Sequence, residues 1–138
     1  MKKIPLYTDE IQEYCRLVIE KYNPLCIILF GSLARSDYSE RSDVDLILIA
    51  NSFPKNVDAR SKSLFLLNPS FAPIEPIGFL PSEFEKMIEK RNCTAIFAME
   101  EGIPLFGEQY FNNLKQKYLQ IKKKYKIEKS ISAWISKN

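Results

Sequence analysis

Two unbroken apolar runs, Leu25–Phe30 and Val44–Ala50, most constrain what this chain can become. Neither alternates polar with apolar residues, so both read as strands covered on both faces, as in a sheet with helices packed on each side. The first run ends at Gly31-Ser32, and the second is led by Asp43-Val44-Asp45. Polar chemistry is therefore gathered at the ends of the two segments that are the most deeply buried.

The remaining pattern supplies the helices. Thr8 can cap a helix running to about Tyr22, with Ile11, Cys15, Val18 and Ile19 on one face, and Asn23-Pro24 ends it. Ser32 can cap a short turn to about Ser36, followed by a polar loop over 37–42. A modest helix is expected over Val57–Leu67, stopped by Asn68-Pro69, and then a strand over Pro73–Phe79 whose prolines favour a sheet edge. Ser82-Glu83-Phe84-Glu85 has capping-box spacing and opens a helix toward Arg91. Another helix follows from about Asn92 to Gly102, with a short fourth strand at Ile103–Phe106. Beyond Gly107, the residues Phe111, Leu114, Tyr118, Ile121 and Tyr125 recur in steps of three and four, an apolar seam on one helix. The expected fold is α/β (α+β): a small mixed sheet flanked by helices, with residues 1–107 as its core and 108–138 as a basic C-terminal helix and tail of the same domain.

Composition narrows the chemistry. At 138 residues, 46% of them hydrophobic and 27% charged, the chain is one globular domain. No apolar run approaches the length of a membrane span, and Asp9 and Glu10 fall where a signal peptide needs its apolar stretch, so a cytoplasmic protein without a membrane role is expected. Cys15, Cys26 and Cys93 form no CxxC pair and read as reduced, mostly buried thiols. There is no histidine. That excludes Ser-His-Asp and Cys-His catalysis and most zinc chemistry, leaving carboxylates, lysines, arginines or a bound metal. After Gly107 there are eight lysines and two glutamates; before it, twelve basic and fifteen acidic residues. Lys115, Lys117, Lys122, Lys123, Lys124 and Lys126 read either as the wet face of a helix or as a patch for RNA or an acidic partner. Trp134 reads as a tail anchor.

Asp43 and Asp45 lie two apart in a strand, so their carboxylates project to the same face. Held together they repel, and a divalent cation relieves that repulsion. Oxygen donors favour magnesium, which usually shares its shell with substrate phosphates. Gly31-Ser32 adds a place where backbone amides can meet an anion, since glycine allows close approach and Ser32 brings a hydroxyl donor. Arg35, one helical turn on, can add positive charge.

The string Gly31-Ser32-Leu33-Ala34-Arg35, followed by Ser42-Asp43-Val44-Asp45-Leu46, resembles the signature of the polymerase-β-type nucleotidyltransferase superfamily, and most of all its minimal nucleotidyltransferases, with their GSxARG…SDxDL motif. The match covers Gly31, Ser32, Ala34, Arg35, Ser42, Asp43, Asp45 and Leu46, and departs at Ser36, where the minimal group usually has glycine. Members of the superfamily carry a third carboxylate on a later strand. Glu75 is the candidate here, as the one acid mid-chain within an apolar strand-like run, although the family more often has aspartate.

The resemblance implies two magnesium ions on Asp43, Asp45 and Glu75, with ATP or another nucleoside triphosphate held by Gly31, Ser32, Arg35 and Ser42. It implies in-line attack of a hydroxyl on the α-phosphorus, release of pyrophosphate, and a nucleoside monophosphate, AMP first among them, left on the acceptor. Larger relatives carry a second, helical domain, so a separate subunit or a homodimer is expected to supply the missing surface. Minimal nucleotidyltransferases often pair with a small helical HEPN protein as the antitoxin that adenylylates its toxin, and a protein tyrosine is then the acceptor. The alternative is an inactive member of the fold that binds RNA or a protein through its lysine-rich helix.

Overall fold

A computed structural model of the chain describes residues 6–35 and 42–125. Its elements follow in the order α1 (Thr8–Tyr22), β1 (Cys26–Phe30), α2 (Ser32–Arg35), β2 (Val44–Ile49), α3 (Val57–Leu66), β3 (Ile74–Phe79), α4 (Pro81–Glu89), α5 (Cys93–Glu101), β4 (Ile103–Phe106) and α6 (Glu108–Tyr125). The strands form one four-stranded sheet in the order β3-β2-β1-β4. β1 pairs antiparallel with β2 and with β4, whereas β2 and β3 run parallel. The sheet is thus mixed and mostly antiparallel, and the proline-bearing β3 lies at its edge, where the amide that Pro76 lacks is not needed by a neighbour.

Both faces of the sheet are covered, which explains the unbroken apolar runs. Ile27, Leu29, Leu46 and Leu48 pack with Ile11, Tyr14 and Val18 of α1 and Leu64 of α3. Cys26, Ile28, Ile47 and Ile49 pack on the opposite side with Phe84 and Ile88 of α4, Ile96 and Met99 of α5, and Phe111, Leu114 and Tyr118 of α6. The expected α6 seam is thus buried over its first three turns. Tyr125 at its end is exposed and lies under the Arg91 guanidinium, 3.9 Å from ring centroid to cation.

Local caps differ from the sequence reading in two places. Tyr7, not Thr8, occupies the N-cap position of α1, in a left-handed conformation. α4 starts at Pro81, and the reciprocal bond of its first turn runs from the Leu80 amide to the Glu83 carboxylate at 2.8 Å, two residues earlier than the expected Ser82–Glu85 spacing. Proline at the first helical position draws the start forward, because its fixed φ suits that site and its missing N–H is not required there. Cys26 is buried and Cys15 partly so, and burial pushes both thiols up to about 12. Cys93 instead heads α5 in the open, next to the Asn92 cap. Among the described residues, no helix is long and apolar enough to cross a membrane.

Candidate active site

The antiparallel pairing of β1 with β2 sets Phe30 opposite Asp45, and the parallel pairing of β2 with β3 sets Glu75 opposite the same aspartate. β1 runs against the other two strands, so its end and their beginnings share one edge of the sheet. Gly31, Asp43, Asp45 and Glu75 therefore meet there, although the chain between them is long. Paired residues of neighbouring strands project to a common face, here the face that Ile47 and Ile49 present to α4–α6. Asp45 is half-buried, while Asp43 and Glu75 are exposed.

Gly31 is required twice over. Its φ of +79° lies in the left-handed region that glycine enters without steric penalty, and a Cβ at this position would collide with the Asp45 carboxylate. The Arg35 amide donates to the Gly31 carbonyl at 3.1 Å and closes the single turn of α2. The Arg35 guanidinium reaches Glu101, the last residue of α5, at 3.3 Å.

Burial is the largest influence on Asp45, and it raises the carboxyl above its usual range. The charges of Asp43 and Glu75 raise it further, and Arg35 pulls the other way. Three acids and one arginine are thus within electrostatic reach of one another. Among the described residues, no three Asp, Glu or Cys side chains close into a metal cage by themselves. Magnesium does not demand one, since it keeps several waters and takes one or two carboxylates together with substrate phosphates. The all-oxygen donor set and its mutual repulsion fit a hard divalent cation, and Asp43, Asp45 and Glu75 are the residues that would hold it.

A family model described as a nucleotidyltransferase domain matches residues 11–133. The chain belongs to the nucleotidyltransferase domain family. A protein of Methanocaldococcus jannaschii, provisionally described as a protein adenylyltransferase, is 35% identical over 48 residues, which is 35% of this chain and 49% of that protein. The match thus spans about half the length of that curated relative. A crystal structure of a toxin–antitoxin with AMP-PNP superposes with a TM-score of 0.60 at 17% identity, covering 91% of this chain and 95% of the other. A mutant of the toxin–antitoxin MntA-HpeT superposes at 0.57 and 16% identity, over 92% and 95% of the two chains. At such identities the likeness is one of fold. Membership and fold agree with the minimal nucleotidyltransferase, and with the class of enzyme, expected from the GSxAR…SDxDL string.

Within this nucleotidyltransferase domain, packing adds two sets of contacts that the sequence did not suggest. Arg35 meets Glu101, while Ser36, where the chain departs from the family pattern, lies outside the described residues. Nothing in the sequence singled out Glu101, because an acid in the last turn of a helix looks like ordinary surface. Only the packing of α5 on β1 carries it to the site. The lysine-rich helix is also partly turned inward. Lys117 reaches Glu85 at 3.4 Å and Glu89 at 3.8 Å, and Glu100 accepts from Lys122 at 2.8 Å and from the Tyr118 hydroxyl at 2.5 Å. Lys126 and Trp134 lie outside the described residues. A cleft of about 460 Å³ lies away from the carboxylates, between Val57, Ile77, Phe79 and Met87, and none of the expected site residues lines it.

Proposed function

We propose that the chain is a magnesium-dependent adenylyltransferase that moves AMP from ATP to a hydroxyl of a protein acceptor. The observation that carries this reading is the strand register that sets Asp45 against Glu75 and folds Gly31 over the Asp45 carboxylate. Asp43, Asp45 and Glu75 hold the metal. Bound magnesium supplies charge neutralisation for the triphosphate and acidifies the attacking hydroxyl. Gly31 lets the β- and γ-phosphates approach the backbone, Ser32 and Ser42 donate to them, and Arg35 adds positive charge. The acceptor oxygen attacks the α-phosphorus in line, the bond to the bridging oxygen of pyrophosphate breaks, and Glu75 takes the hydroxyl proton. Such a reaction is mainly positioning and electrostatics, which suits a site without histidine.

A protein acceptor is favoured because Asp43 and Glu75 are exposed, so the site opens to a large partner. The provisional description of the M. jannaschii relative and the toxin–antitoxin setting of the fold neighbours point the same way. The acceptor is then a tyrosine of a small helical HEPN-type toxin, with this chain as the antitoxin and the complex cytoplasmic. The rival, an inactive RNA-binding module, draws less support, because Lys117 and Lys122 are engaged with α4 and α5.

Calorimetry with ATP, with and without magnesium, tests the reading. Affinity should rise sharply with the metal, and Asp43→Asn with Asp45→Asn should abolish the gain. Label from α-phosphate-labelled ATP should then appear on a protein that co-purifies with the chain. Binding that ignores the metal and the aspartates, but weakens steeply with salt and on neutralising Lys122–Lys124, would establish the RNA module instead.

A further inference from the structure

The cleft between α3, β3 and α4 shares a face of the sheet with Glu75. Glu75, Ile77 and Phe79 are spaced two apart along β3, so their side chains project together. The cleft begins at Ile77, about 7 Å of strand beyond Glu75, and runs on away from the carboxylates. Ile77, Phe79 and Met87 line its floor, and Val57 lines one wall. Ile77 and Val57 are 40% and 58% exposed, so apolar surface stands in water at the edge of the sheet.

The opposite rim is charged. Glu83, Lys86, Met87 and Lys90 recur at steps of three and four, which lays them in one stripe along the cleft. Glu83 is already held by Arg60 at 2.8 Å. Glu85 and Glu89 are engaged with Lys117. Lys86 and Lys90 are exposed, and among the described residues neither has an ion-pair partner. Two unmatched positive charges therefore stand beside an apolar floor.

An added strand does not fit this edge. Pro76 has no amide to donate, and the Gly78 carbonyl already accepts from Arg60 at 3.0 Å. An occupant must dock by its side chains. Residues four apart on a helix are about 6 Å apart at Cβ, and alternate residues of an extended chain are about 7 Å apart. Two acids flanking one apolar residue match that spacing. The acids meet Lys86 and Lys90, and the residue between them points the other way, toward Ile77 and Val57.

We propose that this cleft docks an extended segment of the acceptor protein with the pattern acid, apolar, acid, and so delivers a neighbouring tyrosine to the carboxylates. The inference rests on the protein-acceptor reading given under Proposed function. The step from Ile77 back to Glu75 sets the tyrosine about two to four residues from the apolar anchor.

The probe is a fluorescein-labelled peptide carrying Glu-Leu-Glu, with a tyrosine three residues beyond the leucine. Anisotropy on the full chain without nucleotide gives its affinity. Lys86→Glu with Lys90→Glu should weaken binding about tenfold or more, since two attractions become repulsions. Arg16→Glu with Lys21→Glu makes the same charge change on α1, across the sheet, and should shift affinity less than about twofold. Ile77→Thr, which keeps a β-branched side chain, should weaken binding about threefold. All these side chains are exposed, so melting curves should stay close to that of the parent. If the Lys86 and Lys90 reversal acts no more strongly than the α1 control, or the parent does not bind the peptide, the proposal is overturned. Val57→benzoylphenylalanine should photo-crosslink the bound peptide. A crosslink formed instead to residues 126–138, or to a second copy of the chain, assigns the cleft to that occupant and overturns the proposal too. With magnesium and ATP, moving the tyrosine to eight residues from the leucine should lower AMP transfer about tenfold without changing anisotropy; equal transfer would show that docking does not deliver the acceptor. A parent that binds the peptide but no magnesium ATP sinks the adenylyltransferase reading instead, a result distinct from the others because peptide affinity is read without nucleotide.

Discussion

At the scale of single residues, the site depends on one atom that is missing. Gly31 combines a left-handed φ of +79° with a contact that leaves no room for a side chain beside Asp45. Gly31→Ala should disturb both. The backbone would resist its conformation by about 1–2 kcal/mol, and the methyl would push the Asp45 carboxylate aside. A displacement near an ångström at a metal ligand lowers rates by about a hundredfold. The expectation is a folded, mildly destabilised protein that has lost magnesium-dependent ATP binding; retention of that binding would remove Gly31 from the site. The sequence made the need for glycine readable as phosphate approach. The contact with Asp45 was not readable, because it depends on the register between two strands.

Elements show the same division between what the residues dictate and what packing adds. The unbroken apolar strands, the edge position of the proline-bearing strand and the α6 seam followed from periodicity and chemistry that act over a few residues. Cap positions did not, since Pro81 competes with Ser82 for the start of α4 and only the folded geometry settles it. Arg60 is a larger omission. It is only 2% exposed, and it donates to Pro54 and Gly78 carbonyls at 2.9 and 3.0 Å and to Glu83 at 2.8 Å. One side chain thus ties α3, the outer edge of β3 and α4 together, and shields an edge strand from pairing with another chain. A lone arginine in a modest helix reads as surface, so the sequence offered no hint. Arg60→Met should destabilise the fold by about 3 kcal/mol, leaving buried carbonyls and Glu83 without their donor. Arg60→Lys should fall between, keeping the charge but losing the fork. Denaturant unfolding would give both values, and ATP affinity of the folded fraction should stay near that of the parent, since Arg60 is remote from the carboxylates.

For the molecule as a whole, the carboxylate edge sets a conflict between stability and ligand binding. Asp45 titrates higher in the fold than in the unfolded chain, through burial first and then through Asp43 and Glu75. The folded state holds its proton more readily, so the neutral form favours folding. That contribution is complete below the ordinary carboxyl value of 3.8 and is lost as pH rises through the raised folded value. Glu83 behaves in the opposite sense. Burial raises it, but hydrogen bonds from Arg60 and the Leu80 amide outweigh that and hold it low, so its stabilisation exists above its unfolded value and fades as pH falls through the folded one. At neutral pH and without metal, ionised Asp45 is therefore a burden on the fold that Asp45→Asn removes. The variant should melt at a higher temperature, and this advantage should vanish below the ordinary carboxyl value of 3.8, where Asp45 of the parent is itself protonated. Saturating magnesium and ATP should reverse the order. At a hundred times its dissociation constant a ligand adds about 2.7 kcal/mol to the form that binds it, and only the parent has the carboxylate to do so. Scanning calorimetry at neutral pH, with and without the metal nucleotide, should thus show the two melting curves change places. If the parent is the more stable protein in both conditions, Asp45 is a structural acid, and the edge of the sheet holds no cation.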